Sequence, residues 1–162
     1  MKKALVIFFI STFTFVMAQE NESTARYFAL RLKPHQDLKE QLIAFGKQHR
    51  LKAACIVTCV GSLEQFHLRY ANQSEGVKAN GHFEIVSLTG TFSDTSSHLH
   101  LTVADSSGRT IGGHLLDHNF VYTTAEVISA ELSDLELIRE KDSTYGYQEL
   151  AIKKRSNKKS HE

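Results

Sequence analysis

The chain has 162 residues, with 19 Lys and Arg against 18 Asp and Glu, two cysteines and one proline, and a formal charge of +1. That length suits one domain around one core, and the even charge balance lacks the concentrated basic face from which nucleic-acid binders draw affinity. At the amino end Lys2 and Lys3 precede an apolar run, Ala4 to Val16, and Val16-Met17-Ala18 supplies small residues for cleavage before Gln19. Residues 1–18 have the layout of a secretory signal peptide, and the run is short for a spanning helix. The alternatives are an uncleaved anchor or a buried amino-terminal helix. Export, to the periplasm or outside the cell, is the expectation. Losing Lys2 and Lys3 takes the charge from +1 to −1, and the last ten residues hold five cations and one anion, which leaves −5 on residues 19–152. The body is acidic, and the basic tail, 153–162, is expected to be disordered. It is either a solvated terminus or an electrostatic contact to a membrane or polyanion.

Residues 19–25 are polar and expected to be loose, ahead of a domain spanning 26–152. Tyr27–Leu32 predicts a strand that ends near Pro34. Asp37 can cap a helix from Leu38 to about His49, where Leu38, Leu42 and Phe45, with Ile43 alongside, recur at helical spacing. His35 and His49 are most simply surface residues. Ala53–Val60 is almost wholly apolar and predicts a central strand buried on both faces. It carries Cys55 and Cys59, which along a strand stand about 13 Å apart, beyond the roughly 7 Å that a disulfide spans. They read as two thiols packed as small apolar fillers, with an intermolecular bridge the alternative. Gly61-Ser62 interrupts, and Leu63–Tyr70 resumes as an alternating strand. Asn72–Gly81 predicts a polar loop and Phe83–Phe92 a strand in which Gly90 marks a bulge or a close backbone approach.

Ser97–Asp117 predicts a hairpin. Its arms are rich in Val, Ile, Leu and Thr, and Asp105-Ser106-Ser107-Gly108 is turn chemistry between them. A three-residue loop, Ser106 to Gly108, with Gly108 left-handed, pairs Asp105 with Arg109 and carries His100 opposite His114. His98 lies two residues from His100 on the same face. Three imidazoles then converge, with opposed Cβ atoms about 5 Å apart. Three histidines with an open fourth position are a catalytic zinc arrangement. Zinc is the first expectation, with nickel, copper and iron as alternatives, and plain polar residues of an antiparallel sheet as the bland one. A one-residue slip would send His114 to the other face.

Beyond Asp117-His118-Asn119, with His118 an exposed turn residue, Phe120–Leu132 predicts a long strand. Within it Glu126 either faces solvent or lines a site as a proton carrier. Leu135–Arg139 follows, and Tyr145–Ile152 can add an edge strand or pack against the sheet before the tail. About seven or eight antiparallel strands and one clear helix make the fold α+β.

The phrases GHFEIVSLTGTF, HLHLTVAD, GRTIGGHLL and TTAEVISAEL, together with CVGSL at Cys59–Leu63, resemble the PPC domain of plants and prokaryotes over roughly Arg26–Arg139. The resemblance implies a single antiparallel sheet of about seven strands flanked by helices, assembly into a homotrimer, and a metal site at His98, His100 and His114. Plant relatives attach the domain to an Arg-Gly-Arg-Pro element that enters the minor groove, which this sequence does not contain. Where those members usually carry Arg after the Gly of GHFEI, this chain has His82.

Three functional readings follow. The first is an exported trimeric metalloprotein with a small-molecule site, in which zinc activates water or polarises a carbonyl and Glu126 is the acid–base partner. The second is a non-catalytic trimeric scaffold. The third, opposed by the acidic body and by export, is nucleic-acid binding through the tail and trimer surface.

Overall fold

The structure is a computed structural model that describes residue 18 and residues 20–155. The predicted leader, Ala18 excepted, and the tail from 156 onward lie outside the described residues. Eight strands and one helix run in the order β1 (Ala25–Leu32), α1 (Leu38–His49), β2 (Ala54–Arg69), β3 (Gly76–Phe92), β4 (Ser97–Ala104), β5 (Thr110–Leu115), β6 (Val121–Leu132), β7 (Leu135–Lys141) and β8 (Gln148–Lys154). Strands β1-β6-β2-β3-β4-β5 form a six-stranded sheet, and β7-β8 form a separate two-stranded one. The sheet pairings are antiparallel throughout. The expected single sheet of about seven strands flanked by helices is therefore corrected to a six-stranded sheet, a hairpin and one helix among the described residues. None of the helices described is long and apolar enough to cross a membrane.

Two predicted boundaries dissolve because glycine and bulges bend a strand rather than end it. Ala53–Val60 and Leu63–Tyr70 merge into β2, with register shifts against β6 between Ile56 and Thr58 and between Gly61 and Leu63. The predicted loop Asn72–Gly81 is half strand, since Val77 and Ala79 pair across from Leu68 and Phe66. The strands begin one residue before and end two residues after the expected 26–152 span. Ahead of them, Thr24 donates from both N and Oγ1 to the Asp134 carboxylate at 2.8 Å. At the other end Lys153 meets Glu140 at 3.0 Å and Arg155 meets Glu131 at 3.2 Å.

The core lies on one side of the large sheet, where Leu63, Phe66, Leu101, Val103 and Val127 pack with Leu38 and Leu42 of α1. The expectation that Ala53–Val60 is buried on both faces fails for Val57, Thr58 and Val60, which are exposed. A lone helix covers one face, and the apolar run of β2 serves both that face and an open one. Val57, Val60 and Val86 keep 53%, 55% and 56% of their surface in solvent. Cys55 is half-buried, Cys59 is buried, and both are free thiols. Burial pushes the Cys59 thiol up to about 12, which keeps it protonated and unreactive.

Helix α1 is fixed at its start by Asp37, whose carboxylate accepts from Glu40 N at 2.9 Å. The same carboxylate accepts from the backbone of His118 and, at 2.9 Å, from that of Asn119. Asn119 is fully buried, accepts from His67 N at 2.8 Å and donates to Leu116 O at 2.6 Å. Two side chains thereby join the helix start, the end of β2 and the β5–β6 connection. Asp37→Ala removes a cap and leaves buried N–H groups unsatisfied, so unfolding free energy falls by about 2–4 kcal/mol in urea denaturation. An unchanged midpoint would mean that water replaces the carboxylate at no cost.

Candidate metal centre

The geometry of the site begins at a turn. Asp105 N donates to Arg109 O at 3.0 Å, and Gly108 takes φ +79°, where a side chain would be strained. The Asp105 Oδ1 accepts from Ser107 N at 2.9 Å, Ser107 Oγ at 2.6 Å and Arg109 N at 3.0 Å. The Ser107 bonds, with that of Arg109, hold the Asp105 carboxyl below the usual carboxylate range. The reversal sets the register, in which Ala104 faces Thr110 and His100 faces His114. Along β4 the pattern alternates strictly. Leu99, Leu101 and Val103 enter the core, which turns His98 and His100 outward. Gly90 belongs to the same construction, because a Cβ there would stand 2.1 Å from His98 O and its φ is +124°. The predicted close backbone approach is that of β3 to β4.

The three imidazoles converge, each offering one ligand atom, all within 4.8 Å of one another. Ring centroids are 5.1 Å apart for His98 and His100, 5.2 Å for His98 and His114, and 4.4 Å for His100 and His114. The Nε2 atoms of His98 and His100 are separated by 3.2 Å. Two nitrogens bound to one tetrahedral zinc stand about 3.3 Å apart, given Zn–N bonds of about 2.0–2.1 Å. The pair already has that spacing, and the His114 donor stands within 4.8 Å of both. An all-imidazole donor set suits zinc, copper, iron or nickel better than magnesium or calcium.

A cleft of about 590 Å³ opens beside the rings, lined by His98 and His114 and by Arg69, Arg139, Lys39 and Glu149, among others. Burial first, then Arg139, His100 and Arg69 hold His98 below the ordinary imidazole range, with Glu149 pulling the other way. Burial, then Arg69, His100 and His98 do the same to His114. Both rings stay neutral, the ligating form, to lower pH than a free imidazole.

The sequence does not disclose the charged lining. Arg69 reaches the site because β5 pairs with the end of β2, with Arg69 opposite His114. Arg139 reaches it because β7 lies near β3, where its Nη2 donates to Thr91 Oγ1 at 3.5 Å. Both contacts are remote in sequence and leave no local signal. Glu126 takes the first of its two expected placements, exposed in β6 beside Val60 and Arg31. It does not line the cleft, so its expected part as acid–base partner to the histidines is withdrawn. His35 pairs with Glu64 at 2.8 Å, and His49 packs on Phe45 with ring centroids 4.4 Å apart. His82 stacks on Tyr122 at 4.0 Å on exposed sheet.

Residues 19–133 match the Plants and Prokaryotes Conserved (PCC) domain. The chain belongs to this family. A hypothetical protein from Salmonella cholerae-suis has a similar fold, with a TM-score of 0.83 and 45% identity over 84% of this chain and 99% of its own. A metal-containing protein from Archaeoglobus fulgidus is 28% identical, with a TM-score of 0.68 over 82% of this chain and 96% of its own. The bifunctional protein GlmU of Synechococcus sp. strain JA-3-3Ab is 43% identical over 129 residues, which are 80% of this chain and 21% of that protein. The chain spans about a fifth of the length of the curated relatives it matches.

In the folded protein His98 and His114 titrate below their unfolded values, so between the two the unfolded chain binds more protons. Their contribution to stability is complete above the unfolded imidazole value and is lost as pH falls below it. Imidazole NMR titration of the metal-free protein should place both midpoints below that of an exposed histidine. Midpoints at or above the free value would show that burial and the arginine charges do not reach the rings.

Proposed function

We propose that the protein is an exported, trimeric PCC-domain protein that holds a divalent ion, zinc first, on His98, His100 and His114. The ion's open position would face a small molecule in the adjoining cleft. One observation carries the reading: three imidazole donors lie within 4.8 Å of one another, two of them on a cleft wall. The metal content of the Archaeoglobus relative supports it. Zinc held by three imidazoles lowers the pKa of bound water toward about 7 or polarises a carbonyl. The residues themselves hold the ion, keep two ligands neutral and line the approach. Export rests on the Lys2-Lys3, apolar and Val16-Met17-Ala18 layout of the sequence.

Elemental analysis of protein purified without a metal-affinity tag should find about one zinc per chain, with His98→Ala, His100→Ala and His114→Ala each losing it. Stripping the metal should lower the melting temperature, since a ligand that binds only the folded chain stabilises it. A wild-type protein that neither contains zinc nor takes it up on titration would end the proposal.

The trimer rests on the open apolar face. The register that pairs Cys55 with Thr91 and Ser62 with Glu84 brings Val60 level with Val86, and both are more than half exposed. An apolar strip along a sheet is the kind of surface that subunits cover. Sedimentation should give about three times the chain mass, and Val60→Lys should shift it to the monomer. A wild-type monomer at micromolar concentration would refute the assembly. The same face favours a second reading, a scaffold that docks partners and uses its metal only structurally.

A further inference from the structure

We infer that the cleft beside the three histidines binds a small molecule through an oxyanion, a carboxylate or phosphate group, held between Arg69 and Arg139. Each arginine is tied to a different histidine of the set. Arg69 is the cross-strand partner of His114. Arg139 donates to Thr91, and Thr91 is the cross-strand partner of His98. Both line the cleft.

What sets this pair apart is how the other cations are treated. Arg26 and Arg155 share the buried carboxylate of Glu131, at 2.8 and 3.2 Å. Lys52 meets Asp94 at 2.8 Å, and Lys39, at the same cleft, meets Asp117 at 3.0 Å. Arg31, Arg50 and Arg109 lack such partners but stand in solvent. Among the described residues Arg69 and Arg139 are the half-buried arginines, and neither is within ion-pair distance of a carboxylate. Arg69 donates to Gln73 O at 3.1 Å and Arg139 to Thr91, which leaves most of each guanidinium's five N–H groups unused by these bonds. A partly desolvated guanidinium without a counter-charge is costly, and an oxyanion supplies that charge with paired N–H···O bonds.

Glu149 is the one carboxylate in the lining. With Lys39 neutralised by Asp117, two arginines against one glutamate leave the cleft positive even without a metal. The cleft's roughly 590 Å³ falls in the range of small-molecule sites. One wall is β7–β8, which brings Arg139, Tyr147, Gln148 and Glu149 and lies past residue 133, where the matched domain ends. Selection of the anion therefore rests partly on a segment outside that domain. The inference names the ligand class of the proposed metal site, and so rests on that reading, yet the arginines can be tested without the ion.

The test is calorimetric titration of the full purified chain, metal-free and zinc-loaded, with inorganic phosphate and with malonate at constant ionic strength. Saturable binding of either anion to the metal-free protein, weakened at least about tenfold by Arg69→Gln and by Arg139→Gln but not by Arg31→Gln, is the expected result. Whichever anion binds tighter identifies the group as phosphate or carboxylate. Arg69→Lys, which keeps the charge but loses the fork, should bind with intermediate strength, and thermal melts should show each variant folded. His100→Ala should abolish zinc uptake. Arginine-dependent binding in a protein that takes up no zinc would sink the metal reading and leave this one standing. No saturable binding in either form, or binding that needs zinc and ignores both arginines, would overturn it.

Discussion

Strand β5 is held from both sides, and the site depends on that. Five of its six residues, Thr110 to His114, pair with β4, and its last two, His114 and Leu115, also pair with Arg69 and Leu68 at the end of β2. The pairings β2–β3, β3–β4, β4–β5 and β5–β2 form a circuit. A strand bonded on one edge only can slip by a residue and turn its side chains over, whereas one bonded on two edges must break both ladders to do so. That constraint keeps the His114 ring on the side of His98 and His100. The buried Asn119 beyond β5 reinforces it, by bonding to His67 in β2 and to Leu116 at the strand's exit.

The hairpin was legible because all its determinants are local. Four consecutive turn residues specify the loop, the loop specifies the register, and the strand period of two does the rest. The Asp105 carboxylate, with three bonds inside the turn, is the physical form of that information. Helix α1 was legible for the same reason, with Asp37 capping it and Leu38 and Leu42 buried. Asp37's second task, gathering the backbone of His118 and Asn119, was hidden, because those partners stand 81 and 82 residues away along the chain. The number of faces that β2 buries was hidden too. An apolar run states that its side chains avoid water but not whether its own chain or another covers them, and Val57 and Val60 sit on the uncovered side.

The PCC architecture fixes where chemistry can reside more firmly than which chemistry it is. The sheet gives an outward-facing histidine pair on β4 and a third histidine on β5, while the cleft's charge comes from β2, α1 and the β7–β8 hairpin. The two cysteines take no part: Cys59 is sealed in the core as a protonated thiol, so β2 contributes packing and Arg69 rather than sulfur chemistry.

The three donors lie within seventeen residues of one hairpin, whereas the cations around them are recruited from strands far apart along the chain. Damage therefore falls unequally. A lesion that loosens the carboxy-terminal ribbon displaces Arg139 and leaves the three imidazoles of the β4–β5 hairpin in place.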